Sequence, residues 1–445
     1  MNSPSPLTLG KLRVILTSIW RMSYFSKLRN VRNILSCTMH CGRYSSSSES
    51  PEQLSQVLNK HLLERINTFG PLTVAEYMKE CLSNPLYGYY NTHSVFGKSG
   101  DFTTSPEICQ IFGELIGVWL LEEWKRQNSP KHLQLVELGP GRGTLCSDIL
   151  RVFSKFPDIY STLSIHLVEI SQSMQQTQKQ TIEKTLSCLD NKPPLIFWHT
   201  DLRQVPENFS FFIGHEFFDV LPVHCFQKHE GKWHEVLVSS MINSNSLCFV
   251  RSSTKTPASI AYLPLVPNLS NRNSVEICPD MICITQLLCK RINKTGGSAL
   301  LIDYGHEGEK GDTFRGFHKH SVCDPLINPG HTDLTCDVDF SILCQAVKNS
   351  DAKVKLHGPV TQAYFLINMG LFTRLKVLLS KCESERQKDE LFSACEILVT
   401  NEQMGSRFKV AAITPQLESD SVGCEQQLPG FTPLSGTPYA QPNSV

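Results

Sequence analysis

The sequence predicts an α/β fold with a mostly parallel sheet, helices on both faces, an N-terminal helical extension and a β insertion after the fourth strand. Three observations predict it. Short apolar runs at 133–138, 164–170, 195–198, 209–214 and 298–303 alternate with helical patterns at 144–155 and 172–187, as parallel strands under crossover helices do. The first run ends in an acid and three glycines spaced two apart, Glu137-Leu138-Gly139-Pro140-Gly141-Arg142-Gly143, before a helix. That is a buried strand, a tight turn and a helix N-terminus, where doubly wound folds bind nucleotide-like ligands. Strand-like runs at Trp233 to Ser239 and Leu247 to Arg251 then interrupt the alternation within 222–270.

The chain has 445 residues, enough for one large domain or two ordinary ones. Residues 1–50 carry seven basic residues and one acid, leaving 35 basic and 41 acidic residues in the remainder. A basic, amphipathic, serine-rich start describes a mitochondrial transit peptide, placed at 1–46. An N-terminal helical segment is expected at 47–130. It has helices at 51–67 and from Thr73, where Glu76 completes a capping box, then an aromatic turn at 85–90 and a helix from Pro106 to about 125. The cofactor-binding core follows at 131–221 and the insertion, of β hairpins and a helix at 276–293, at 222–295. The rest of the core spans 296–415, with helices at 339–349, 361–370 and 372–399. A last strand at 407–414 pairs with 353–357. The Pro-, Gly-, Ser- and Gln-rich end, 416–445, reads as a disordered tail.

Seventeen cysteines include no C-x-x-C pair, so they read as free, buried thiols and no metal is assigned. The acidic body argues against a nucleic-acid partner, and no apolar run is long enough for a membrane span.

The glycine spacing separates cofactor classes. A dinucleotide fingerprint is G-x-G-x-x-G, whereas this turn is G-x-G-x-G with Thr144 in the last place. Glu137, two residues before Gly139, suits a ligand that carries positive charge, such as S-adenosyl-L-methionine with its sulfonium and amino groups. Glu169, ending the second strand, accepts from ribose hydroxyls or caps the next helix. Asp201, after the third strand, meets an adenine amine or caps its own turn. His215, Glu216 and Asp219 follow the fourth strand at the switch point of the sheet, where the reacting end of a ligand sits. Glu216 and Asp219, three apart, share one side of a helical turn and suit a guanidinium or ammonium acceptor, or else cap and face solvent. Asp303 and His306, at the end of the fifth strand, reach the crevice or cap the strand end.

Five ordered motifs carry a resemblance: SGDFTTSPEICQIFG (99–113), VELGPGRGTL (136–145), HEFFDVLPV (215–223), LIDYGH (301–306) and DPLINPGHTDLTCDVDF (324–340). Together they resemble the MidA family, over roughly residues 60 to 412, and most of all its mitochondrial members. The resemblance implies a Rossmann-like class I SAM-dependent methyltransferase with S-adenosyl-L-methionine as cofactor, in the mitochondrial matrix. It further implies type II protein arginine methyltransferase activity, symmetric ω-dimethylation of a core subunit of respiratory complex I, needed for assembly. It places Asp101, Phe102 and Thr104 in the pocket wall; a polar loop at a helix start is the other reading of that segment. Two positions depart from the bacterial pattern: His215 stands where Asn is usual, and Asp337 where His is. A non-catalytic SAM-binding assembly chaperone, a methyltransferase on another acceptor, and a homodimer all stay open.

Overall fold

The computed structural model describes residues 51–92, 104–242, 244–318, 321–417 and 428–433. The expected leader, Asp101, Phe102 and most of the C-terminal segment lie outside these residues. The central sheet is built on β2 (Leu133–Leu138), with β3 (Leu163–Val168) and β4 (Leu195–His199) to one side. On its other side lie β5 (Ser210–His215) and β10 (Gly297–His306), all five parallel. The sheet closes with antiparallel β16 (Phe408–Pro415) and β15 (Val354–Thr361), as the sequence predicts, and β14 (Val338–Asp339) extends β10. The chain leaves β2 for β3 in one direction and returns from β4 to β5 on the other side. The crevice at the carboxyl ends of β2 and β5 is therefore the switch point.

Every residue of β2 is buried, as expected of a central parallel strand covered on both faces. The period of two sorts its side chains: Leu133 and Leu135 join one hydrophobic cluster, Val136 and Leu138 the other. The first cluster holds the helices Gln110–Arg126 and Thr144–Phe153; the second holds the N-terminal helices and the insertion. Helix Gln110–Arg126 lies so close to its neighbour at Gly113 that a Cβ there would meet the Asp148 Cβ at 2.4 Å. The single helix expected from Pro106 is instead two, Ser105–Ile108 and Gln110–Arg126, because Cys109 is extended at φ −153°. The short helix is thereby freed to border the crevice.

The interrupting segment forms a second sheet of β6 (His224–His229), β7 (Lys232–Ser240), β8 (Leu247–Arg251) and β9 (Ser274–Ile277). Its other strand comes from the N-terminal extension: β1 (Leu72–Thr73) pairs Leu72 with Val238. The extension and the insertion thus share one sheet. Thr73 and Glu76 form the expected capping box. The helix expected at 276–293 begins only at Pro279, since Ser274–Ile277 alternates as a strand and pairs with β6. Likewise 372–399 splits into Leu371–Leu379 and Glu385–Val399, the latter restarted by a capping box from Ser384 to Gln387. A third sheet has no counterpart in the sequence reading: β11 (Arg315–His318) between β12 (Ser321–Cys323) and β13 (Asp333–Thr335). Its strands are too short and polar to give a periodic signal.

Cysteines in the described residues are free thiols, but Cys188 and Cys283 are exposed rather than buried. Among those residues no helix is long and apolar enough to cross a membrane, and no group of three or more His, Cys, Asp or Glu could hold a metal.

The tail expectation fails at 428–433. Leu428 is 3% exposed, the Trp119 Nε1–H donates to the Pro429 carbonyl at 3.1 Å, and Phe431 packs edge-on against Phe365. An isolated Leu-Pro-Gly-Phe sequence supplies enough apolar surface to dock a polar segment. Leu428→Ala is expected to lower the unfolding free energy by about 2–4 kcal/mol in a denaturant titration.

Candidate active site

A cleft opens at the switch point. One wall is the glycine turn. Gly139, Gly141 and Gly143 all have positive φ, at +59°, +50° and +81°. A Cβ on Gly139 would sit 2.9 Å from the Phe217 ring, and one on Gly143 would sit 3.3 Å from the Gln178 backbone. The turn is pinned from the neighbouring strands. The Gly139 N–H donates to the Val168 carbonyl at 3.0 Å, and the Gln178 amide donates to the Gly141 carbonyl at 2.9 Å. Gln178 is fully buried, also donates to Glu169 and accepts from the Trp198 indole at 2.9 Å. One side chain thus locks turn, second strand and third strand together.

Carboxylates dominate the rest. Glu137 is 3% exposed at the end of β2, and its Oε2 has no hydrogen-bond partner. Burial pushes its carboxyl up to about 8, against a bond from the Cys146 amide. After β5 the chain makes bends and a turn rather than the expected helical turn, with Glu216 in left-handed backbone at φ +49°. Asp303 explains this conformation. Its Oδ2 accepts the N–H groups of Phe217, Phe218 and Asp219 at 3.2, 2.9 and 3.3 Å, and the Glu216 N–H donates to the Ile302 carbonyl at 3.0 Å. The loop still turns Glu216 and Asp219 into the same cleft. Glu216 Oε1 and Asp219 Oδ1 are buried without partners. Burial, then the Asp219 charge, pushes Glu216 well above the carboxylate range; burial raises Asp219 to about 7 although Arg315 opposes it.

His215 is the last residue of β5 and borders the cleft. Its ring lies between Phe112 and Phe408, and its Nε2 is 3.4 Å from Glu216 without forming a hydrogen bond. Burial pushes its pKa down to about 3, so the imidazole is neutral near pH 7. Thr104 borders the cleft, as do Glu107 and Tyr90 from the N-terminal extension. Glu169 and Asp201 do not line it. Glu169 accepts the Ser171 N–H at 2.8 Å, and Asp201 accepts the Arg203 N–H at 2.7 Å, so both cap the turns that follow them. Asp303 is taken up by the loop it holds, and His306 Nδ1 accepts from the Gly308 N–H at 3.0 Å. Tyr304, Phe317, Asp333 and Thr335, which sequence patterns did not single out, complete the lining. The motifs at 301–306 and 324–340 are the signals that held three of them, Tyr304, Asp333 and Thr335.

The residues present fit a donor with a positive centre. The glycine turn is a cradle that a Cβ would fill, and unpartnered carboxylate oxygens of Glu137, Glu216 and Asp219 face the same space. A family model for S-adenosyl-L-methionine-dependent methyltransferases matches residues 115–360. The mouse protein named "Protein arginine methyltransferase NDUFAF7, mitochondrial" is 45% identical over 84% of this chain and 88% of its own length. This chain belongs to the MidA-like family of S-adenosyl-L-methionine-dependent methyltransferases. The human relative of the same name is 44% identical over 84% of this chain and 87% of its own, and a Drosophila melanogaster homologue is 43% identical over 82% and 88%. A Burkholderia thailandensis protein crystallised with S-adenosyl-homocysteine shares the fold at a TM-score of 0.70, covering 86% of this chain and 98% of its own at 22% identity. The cofactor of this methyltransferase is S-adenosyl-L-methionine, and the glycine turn with Glu137 is the part of the fold suited to hold it.

The buried acids link stability to pH. Folded Glu137 keeps its proton up to about 8, whereas the unfolded chain releases it near 4.5, so folding binds a proton between these values. Stability therefore falls as pH rises through this window, by at most about 1.4 kcal/mol per pH unit for one proton. Asp219 acts in the same direction up to about 7. His215 acts oppositely below its ordinary 6.5, so the decline is cleanest between about 6.5 and about 8. Unfolding of the ligand-free protein at several pH values should show this decline, and Glu137→Gln should reduce it, with Glu216 and Asp219 leaving a remainder.

Proposed function

We propose that this methyltransferase modifies an arginine side chain of a protein partner in the mitochondrial matrix. The observation that carries the reading is a pair of buried carboxylates, Glu216 and Asp219, each with one oxygen left without a partner, in the same cleft as the glycine turn. When bound, S-adenosyl-L-methionine supplies an electrophilic methyl group. The chain's own residues must then deal with the acceptor. A guanidinium has a pKa above 12 and no nitrogen lone pair free of its delocalised system. Glu216 and Asp219 accept its N–H bonds, draw the positive charge toward one nitrogen and leave another richer in electrons. One N–H proton must leave as the nitrogen gains its methyl. Glu216, whose proton affinity burial raises, is the group to take it. Neutral His215 supplies a wall beside Glu216 that adds no competing positive charge. Gly139, Gly141, Gly143 and Glu137 hold the donor, and Thr104 closes its side. Glu169 and Asp201 keep lone pairs beyond their caps, so ribose and adenine would add to those bonds rather than replace them.

The names of the relatives, protein arginine methyltransferase and mitochondrial, support the acceptor and the compartment. The finer reading is symmetric ω-dimethylation, a type II activity, on a core subunit of complex I during assembly. It rests on the family resemblance.

Mass spectrometry of arginine methylation in mitochondrial proteins tests the proposal with the wild type, Gly141→Val and Glu216→Gln. Both variants are expected to lose at least about nine-tenths of the modification, Glu216→Gln while still binding S-adenosyl-homocysteine in calorimetry. Equal methylation in all three would sink the reaction. Restored complex I assembly by Gly141→Val, with no donor bound, would favour a chaperone that needs no methyl transfer.

A further inference from the structure

The cleft has a second wall that the roles above leave unused. Phe317 on β11 and Asp333 on β13 stand directly opposite one another in antiparallel register, and both border the cleft. Thr335, two residues further along β13, shares the face of Asp333 and borders it too. Asp333 and Thr335 are each 3% exposed. Asp333 Oδ1 accepts from the Tyr90 hydroxyl at 3.2 Å, whereas the Thr335 hydroxyl is buried without a partner. The Arg315 guanidinium lies over the Phe317 ring, 5.4 Å from its centroid, and holds the ring in the wall. A buried hydroxyl left unpaired is unfavourable, and its place on a cleft wall points to a ligand that completes its bonding. Asp219 Oδ1, unpartnered across the same cleft, makes the same demand. The two walls are joined, since the Cys336 N–H donates to the Asp219 carbonyl at 2.9 Å.

We propose that Asp333, Thr335 and Phe317 form the recognition wall for the acceptor and select a planar guanidinium over other head groups. This rests on the reading that Glu216 and Asp219 mark the acceptor end. A guanidinium presents five N–H donors in one plane. Glu216 and Asp219 use some of them; Asp333 and Thr335 Oγ1 supply acceptors for the others, and an aromatic ring suits the plane. An ammonium group offers three donors around a point charge and leaves acceptors unpaired. A neutral urea lacks the charge that three carboxylates demand.

The test uses the full chain saturated with S-adenosyl-homocysteine, titrated with methylguanidinium, methylammonium or N-methylurea and followed by saturation-transfer NMR. Methylguanidinium is expected to bind in preference to both others. Thr335→Val should weaken it about threefold to tenfold and Asp333→Asn about tenfold or more, with the S-adenosyl-homocysteine affinity unchanged as the check on folding. Equal binding of the three probes, or unchanged methylguanidinium affinity in both variants, would overturn the wall. Selective binding that depends on Asp333 and Thr335, in a protein that methylates no arginine, would support the wall and reject the reaction.

Discussion

The side of the cleft that carries Glu216 and Asp219 depends on the Asp303 carboxylate. The residues it organises have no secondary structure of their own, and Glu216 sits in backbone that a glutamate rarely adopts. One oxygen gathers three successive backbone N–H groups and the other accepts the Tyr304 N–H at 2.9 Å, so a bend that propensity disfavours becomes a fixed platform. Because Asp303 lies on a central strand, that platform is referenced to the sheet. The glycine turn is referenced to the same sheet through the Val168 carbonyl and Gln178. The glycine turn and the carboxylate platform thus keep a common frame, as in-line transfer between groups bound at the two would require.

The second organising fact is an imbalance of charge. Glu107, Glu137, Glu216, Asp219 and Asp333 line the cleft, and Arg142 is the arginine or lysine among the lining residues. Ordinary folding would pair such acids or expose them. Here burial raises the affinity of several of them for protons instead, most clearly Glu137, Glu216 and Asp219. A cation entering the cleft replaces those protons as counter-charge. The arrangement trades stability of the empty protein for affinity toward positively charged ligands.

Much of this was legible in the sequence. The parallel strands, the glycine turn, the Thr73 capping box and the β15–β16 pairing follow from periodicity and local chemistry, which act over a few residues. The sequence could not show that the loop after β5 is bent rather than helical, because the determining partner, Asp303, is remote in the chain. It also could not show that Glu169 and Asp201 cap their own turns, since capping and ligand binding use the same residue types at the same strand ends. The β11–β13 sheet escaped because strands of three or four residues carry no period. Gln178 looked like one glutamine in a polar helix, and only its burial between strands reveals its part.

The pairing of β1 with β7 has a further consequence for how the protein reaches its native state. A two-residue strand near the start of the described chain is completed by a strand well past the cofactor turn. The hydrophobic cluster beneath that junction combines Leu58, Leu62 and Tyr77 with Phe226, Val238 and Leu301. Closing so long a loop is entropically unfavourable until many contacts form together, which slows folding relative to a chain of local contacts. Until the insertion has been made and paired, the N-terminal helices lack the surface they bury. The newly made chain would then expose apolar surface for longer than its size alone suggests, making it a natural client for chaperones.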